Sequence, residues 1–178
     1  KVIGFQTRNP IHQAHFWMMK KSAETEGAHV LIHPSVGETK DGDIDYITRV
    51  KCYKLVNKKY AKDFTTLSLL PLAMRMAGPR EAVLHAITRK NYGCTHFIVG
   101  RSHADPGTDS AGKPFYGPFD AQKLAVKYAH EIGISIISFN EMAYNEKSRQ
   151  YVEVSEINKD SKYIKRISGT QFRWMLRE

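Results

Sequence analysis

Apolar residues recur along this chain in short runs separated by stretches of helical period, and that alternation predicts a fold before any motif is considered. Val2, Ile3 and Phe5 mark a buried strand over 1–5 that breaks into polar residues and then Pro10. From Ile11 to about Glu26, helix-forming residues carry apolar positions at helical spacing, with Pro10 near the first turn, where its missing N–H costs nothing. Ala28 to Pro34 reads as a second buried strand ended by proline. Ser35 to Asp45 is polar and reads as a loop. Ile44 to Lys58 returns to helical periodicity through Ile47, Val50, Leu55 and Val56, and Phe64 to Leu70 is β-prone.

Gly78-Pro79 then opens a helix that runs to about Tyr92, with Pro at the first helical position. His96 to Val99 is the fourth strand, and the segment after it, to Pro118, is long for a connector of this kind. Asp120 to Ile132 is an amphipathic helix and Ile134 to Phe139 the fifth strand, closed by Glu141-Met142-Ala143-Tyr144. Residues 145–163 are charged and weakly periodic and are expected as loop. Ser168 or Thr170 can cap a last helix.

Strands alternating with helices predict parallel pairing and right-handed crossovers. The expected fold is α/β: a Rossmann-like, doubly wound, five-stranded parallel sheet with helices on both faces. At 178 residues one domain is expected, 1–178, long enough for a substantial core. The chain starts directly on a strand and without Met, which predicts a fragment of a longer chain. No internal repeat, low-complexity segment or linker interrupts it.

Composition changes this picture little. The hydrophobic fraction of 42% and charged fraction of 25% are ordinary for a soluble globular protein. No apolar run approaches the roughly 20 residues that span a bilayer, so no membrane partner is expected. Cys52 and Cys94 lack CxxC spacing and read as reduced, small apolar residues of a cytoplasmic protein. The net charge of +9 raises nucleic acid as a partner. The basic residues are scattered over helices rather than clustered with exposed aromatics, which argues against nucleic acid; an anion site benefits from the same field.

The candidate chemistry gathers at the turns after strands one and four. Gln6, Thr7, Arg8, Asn9, His12 and His15 crowd the N-terminus of the first helix, whose free N–H groups and positive dipole end favour anions. His12 and His15, at i and i+3, share one face of the first turn. Two histidines at this spacing are alone more often a surface or metal pair, but nothing about packing requires that density of donors. Gly100-Arg101-Ser102-His103-Ala104-Asp105-Pro106-Gly107 forms a second cluster at the carboxyl end of a buried strand, where open α/β sheets bind ligands.

The string QTRNPxHxxH over 6–15 resembles the signature of the ATP sulfurylases, members of the nucleotidyltransferases. Met74 to Glu81 resembles the family's MRxAGPRE stretch, with Met76 where an aromatic is common. Gly100 to Gly107 resembles its GRDHAGPG loop, with Ser102 for the Asp and Asp105 for the first of the later glycines. Ile167 to Arg173 resembles its ISGTxxR element. The resemblance spans almost the whole chain with the motifs in the family's order.

What this implies is adenylyl transfer from ATP to sulfate, giving adenosine 5′-phosphosulfate and pyrophosphate, or the reverse. By resemblance Thr7, Arg8 and Asn9 are catalytic. Gln6, Asn9, His12, His15, Gly100, Arg101, Ser102, His103 and Ala143 would bind ATP; Gln6, Arg8 and the backbone of Ala104 would bind sulfate. Mg²⁺ is expected with ATP, held largely by phosphates and water, and no carboxylate cluster looks like a dedicated metal cage. The resemblance also allows a homo-oligomer formed through domains outside this chain. Asp105 and Ser102 suggest that a carboxylate has been exchanged between positions. Two other readings stay open: a nucleotidyltransferase with another oxyanion acceptor, and a regulatory nucleotide-binding domain whose catalytic loop has decayed.

Overall fold

In the computed structural model, which describes residues 1–154, 162–166 and 174–175, the apolar runs assemble around the first strand. Strands β1 (Val2–Phe5), β2 (His29–Ile32), β3 (Thr65–Leu67), β4 (His96–Val99) and β5 (Ser135–Ser138) form one sheet in the order β3-β2-β1-β4-β5. Every pairing in it is parallel. Between the strands run α1 (Gln13–Glu26), α2 (Tyr46–Val56), α3 (Pro79–Asn91) and α4 (Asp120–Ile132), with α2 continuing into a π-helical turn over Asn57–Ala61. The chain moves from β1 outward through β2 to β3, then returns to β4 on the other side of β1. Its direction therefore reverses between β1 and β4, the place where such sheets open a crevice at their carboxyl ends.

The period of two along β1 decides which helix meets which face. Ile3 and Phe5 pack with Met18, Met19 and Ala23 of α1 and with Val30 and Ile32. The opposite face packs Phe97 and Val99 against Ala82 and Ala86 of α3 and Ala121 and Ala125 of α4. The small alanines let both helices approach the sheet closely. Gln122 on α4, buried, donates from Nε2 to the carbonyls of Val99 (2.9 Å) and Phe139 (2.7 Å), tying together the chain ends that leave β4 and β5.

The first helix differs from expectation at its start. It begins at Gln13, with His12 as an extended N-cap, so Pro10 lies ahead of the helix rather than in its first turn. The reason is local. The Asn9 carbonyl accepts from the Tyr53 hydroxyl at 2.9 Å and from Thr7 Oγ1 at 3.1 Å, and a residue before proline avoids the helical region. The segment 6–12 is thereby held as a loop.

The chain beyond β5 also differs. Met142 starts a separate strand, β6 (Met142–Asn145), which pairs antiparallel with β7 (Gln150–Glu153) and β8 (Ile164–Lys165). The charged stretch expected as loop thus contains a strand, with Tyr144 and Tyr151 facing across the pair at a ring separation of 5.5 Å. Charged ends masked the short alternating run. Ser168, Thr170 and the rest of the 167–173 motif lie outside the described residues.

Gly4 explains how α3 can lie so close to β1. A Cβ on Gly4 would stand 2.5 Å from Cγ and 3.2 Å from Cβ of Arg89, atoms near the backbone with little freedom to yield. Gly4→Ala should therefore overpack the centre of the sheet, a change that typically costs about 1–3 kcal/mol. Thermal unfolding should report a loss on the order of 2–10 °C; an unchanged melting temperature would show that α3 moves away freely.

Candidate active site

Two loops meet over the reversal point, one leaving β1 and one leaving β4. Between them is a cavity of about 170 Å³ lined by Phe5, Gln6, Thr7, Arg8, Asn9, His15, Met18, Met74, Ile98, Gly100, Arg101, Ser102, His103 and Ala104. Its size falls below the roughly 300–1,000 Å³ of a pocket for a drug-sized molecule, so it suits a small oxyanion or one end of a larger ligand. Every motif residue from 6 to 9 and from 100 to 104 is brought to it. His12 is not on the wall but stacks on His15, with ring centroids 3.8 Å apart, and His15 meets Phe5 edge-on at 5.4 Å. Ala143 lies buried on β6 opposite Val152 and does not line the cavity.

The first loop is set by its own polar atoms. Thr7 Oγ1 accepts from the Asn9 N–H at 3.0 Å, and the Arg8 Nη1 group pairs with Asp43 Oδ1. Lys40 donates to the Pro106 carbonyl at 2.8 Å, so the segment carrying Asp43 reaches across to the second loop.

The second loop has a strained backbone. Ser102 (φ 53°) and Ala104 (φ 53°) both take the left-handed conformation without being glycine, a form that persists only where the surroundings enforce it. They do so here through Ser102 N–H to Pro118 O (2.8 Å) and Gly78 N–H to Ala104 O (2.9 Å). Gly78 itself has φ 55°, and a Cβ there would meet the Tyr116 ring at 2.6 Å. Asp105 does not stand in for a carboxylate at 102: its Oδ1 accepts from the Gly107 N–H at 2.9 Å, and it is not on the cavity wall. The exchange expected between these positions is thus absent from the structure, because the turn at 105–107 consumes that oxygen locally.

Behind the wall lies a set of side chains of which sequence reading singled out only Glu81, at the end of the 74–81 stretch. Glu81, His85 and Arg89 sit at i, i+4 and i+8 on α3, and all three are buried. The Glu81 carboxylate accepts from the N–H groups of Arg75 and Ala77 (2.8 Å each), so it is the partner of the preceding turn rather than an exposed first-turn charge. His85 Nε2 is 3.4 Å from Glu81 Oε1 and from Gln6 Nε2, and its Nδ1 is 2.9 Å from His103 Nε2. Arg89 Nη2 donates to Gln6 Oε1 and to the His33 carbonyl. The signal that could have found them was a polar stripe at helical spacing flanked by Ala82 and Ala86, which must face the core.

Burial governs the electrostatics. It lowers His12 to about 4 and His103 to about 3, and holds His15 well below the usual imidazole range. His85 is lowered for the same reason, opposed by Glu81. Around one cavity four imidazoles are therefore neutral at pH 7, and an arriving anion would raise their affinity for protons. Among the described residues no group of three or more His, Cys, Asp or Glu side chains is placed to hold a metal ion, and no helix is long and apolar enough to cross a membrane.

A sequence profile of the ATP-sulfurylase family matches residues 1–178. The chain belongs to the ATP-sulfurylase family. It is 54% identical to a sulfate adenylyltransferase of Eremothecium gossypii over 178 residues, all of this chain and 35% of that protein. It is 53% identical to one of Schizosaccharomyces pombe and 52% to one of Mycosarcoma maydis, each over 99% of this chain and over 36% and 31% of those proteins. The chain thus spans about a third of the length of these curated relatives. Among solved structures it is similar to a hexameric APS kinase from Thiobacillus denitrificans, with a TM-score of 0.74, 26% identity, and coverage of 99% of this chain and 32% of that one. The five-stranded parallel sheet expected from the sequence is the one observed in this chain.

The lowered imidazoles give a pH dependence with a definite sign. In the unfolded chain these histidines take up protons near pH 6.5, whereas in the folded protein they resist until about pH 4 or below. The unfolded state binds more protons across that window, so stability falls as pH drops from about 6.5 towards 4. The melting temperature should decline by several degrees between pH 7 and 4.5. A flat profile would show that the imidazoles are hydrated and already protonating freely.

Proposed function

We propose that this chain carries out adenylyl transfer between ATP and sulfate, forming or consuming adenosine 5′-phosphosulfate with release or uptake of pyrophosphate. The observation that carries the reading is the meeting of Gln6-Thr7-Arg8-Asn9 and Gly100-Arg101-Ser102-His103-Ala104 around one small, donor-rich cavity. The names of the family's relatives support it.

In this reaction a sulfate oxygen attacks the α-phosphorus while the bond from that phosphorus to the β-bridging oxygen breaks, and the electron pair leaves on pyrophosphate. Sulfate is already deprotonated, so no base is needed, and no protein nucleophile takes part. What remains is to bring two anions together and to stabilise charge moving onto the leaving group. Arg8 suits sulfate because its planar fork presents parallel donors; it would exchange the Asp43 carboxylate for the oxyanion. Gln6 and the Ala104 backbone would complete the sulfate site. Thr7 and Asn9 keep the loop in register.

His12 and His15, at the N-terminus of α1, would meet the phosphates, with Asn9 and the loop from Gly100 to His103 on the other side. Held neutral, each imidazole can donate one N–H to phosphate oxygens as charge develops there. A cavity of this size would hold the reacting groups only, so the adenosine would lie beyond it, and Ala143 on β6 is our candidate for a backbone contact to the base. Mg²⁺ would travel with ATP and neutralise phosphate charge, held by phosphate oxygens and water. The free thiols Cys52 and Cys94 fit a reducing compartment such as the cytoplasm. A homo-oligomer built through parts outside this chain fits the hexameric state named for the structural neighbour.

The test is pyrophosphate release from ATP with and without sulfate. Release that depends on sulfate is expected; ATP binding without it would point to a regulatory domain, and equal release with another oxyanion to a different acceptor. His12→Ala or His15→Ala should lower kcat by roughly 10²–10³, the scale of one lost oxyanion donor. Arg8→Lys keeps the charge but loses the fork, and should raise the KM for sulfate far more than that for ATP. Equal weakening of both would reassign Arg8 to general electrostatics.

A further inference from the structure

Arg89 is one of the largest fully buried side chains, at 0% exposure, yet it has no carboxylate partner among the described residues. Its Nη2 is satisfied by Gln6 Oε1 and the His33 carbonyl, and its guanidinium lies 5.5 Å from the centre of the Phe97 ring. Its Nε and Nη1 have no hydrogen-bond partner among the described residues. The buried carboxylate on the same helix, Glu81, is eight residues away, about 12 Å by helical rise, and is engaged by two backbone N–H groups. Burying a charge this way is expensive unless something balances it, and a residue retained only for packing would not need one.

The contact with Gln6 fixes a polarity. A guanidinium only donates, so Gln6 must present its oxygen to Arg89 and its amide nitrogen away from it. That nitrogen makes only long contacts, 3.4 Å to His85 Nε2 and 3.6 Å to Met74 Sδ, and Gln6 lines the cavity. Its N–H capacity is available to a ligand there. With the amide reversed, a carbonyl oxygen would face the same ligand and repel an anion.

We propose that Arg89 is a positioning residue for the oxyanion. It locks the Gln6 amide with its nitrogen towards the cavity, and it places a buried positive charge beneath the site whose counter-ion is the bound sulfate. The inference rests on the proposed adenylyl transfer for the identity of the anion, but its geometry is independent of catalysis. Burial lowers the Arg89 pKa to about 10, which leaves it charged at neutral pH. Gly4 belongs to the same arrangement, since only a residue without Cβ lets this arginine pass β1 to reach Gln6.

The test reads anion binding and turnover separately, in the full-length protein. Sulfate should raise the melting temperature of the wild type above that in chloride at matched ionic strength, and Arg89→Met should abolish most of that difference. In the pyrophosphate-release assay Arg89→Met should raise the KM for sulfate at least tenfold while the KM for ATP stays within about threefold. Arg89→Lys, which keeps the charge but not the fork, should recover part of the sulfate response. An unchanged sulfate response in a folded Arg89→Met protein would overturn the proposal, as would equal losses for both substrates. A wild type that is stabilised by sulfate yet releases no pyrophosphate would sink the activity and leave the Arg89 assignment to the melting data. Should Arg89→Met not fold, Gln6→Glu decides: a carboxylate beside an unbalanced guanidinium should raise the melting temperature without sulfate, and a fall would contradict an unbalanced charge.

Discussion

The contact between Arg89 and the first strand is the constraint on which the site depends. An arginine on α3 passes over Gly4, fills the space a Cβ would need, and ends on the side-chain oxygen of Gln6. One residue thus fixes how closely α3 approaches the sheet and which way the first polar side chain after β1 is turned. His85 and Glu81, on the same face of α3, carry the connection onward to His103 and to the turn at Arg75–Ala77. The two loops that form the cavity are therefore braced from behind by α3, in addition to the contacts from Tyr53 and from the segment carrying Lys40 and Asp43.

This arrangement leaves the cavity rich in donors and poor in permanent compensation. Among the described residues Arg89 is buried without a carboxylate, four imidazoles are held neutral by burial, and Arg8 is paired with Asp43. A site built this way is costly to keep empty and favours ligands that bring negative charge. For the proposed reaction between two anions, that is the quantity the protein would have to supply, because neither a nucleophile nor a base would be required. The small volume limits what the cavity can enclose to a small oxyanion or one end of a larger ligand.

Much of this was legible in the sequence, for identifiable reasons. The central strands β1 and β4 are buried along almost their whole length and so read as continuous apolar runs, and Gly78-Pro79 marked the start of α3 by local chemistry alone. The loop residues 6–9 and 100–104 stood out because nothing about packing accounts for so many donors at strand ends. What was not legible depends on contacts distant in sequence. The late start of α1 follows from Tyr53 holding the Asn9 carbonyl, 44 residues away. The strand β7 hides among charged neighbours. Arg89 looks like one more surface cation in a basic helix end until Gly4, 85 residues earlier, is seen beneath it, and the carboxylate of Asp105 looked available until its turn was seen to use it.

The central claim is that an oxyanion binds where Gln6 and Arg8 meet the backbone of Ala104, and selenate allows its position to be measured directly. Crystals of the protein equilibrated with selenate should show an anomalous selenium peak within hydrogen-bonding distance of Gln6 Nε2 and the Arg8 guanidinium, with Arg8 released from Asp43. A peak confined to the lysine-rich surface, or one in the cavity that leaves Gln6 presenting its oxygen to the anion, would contradict the account.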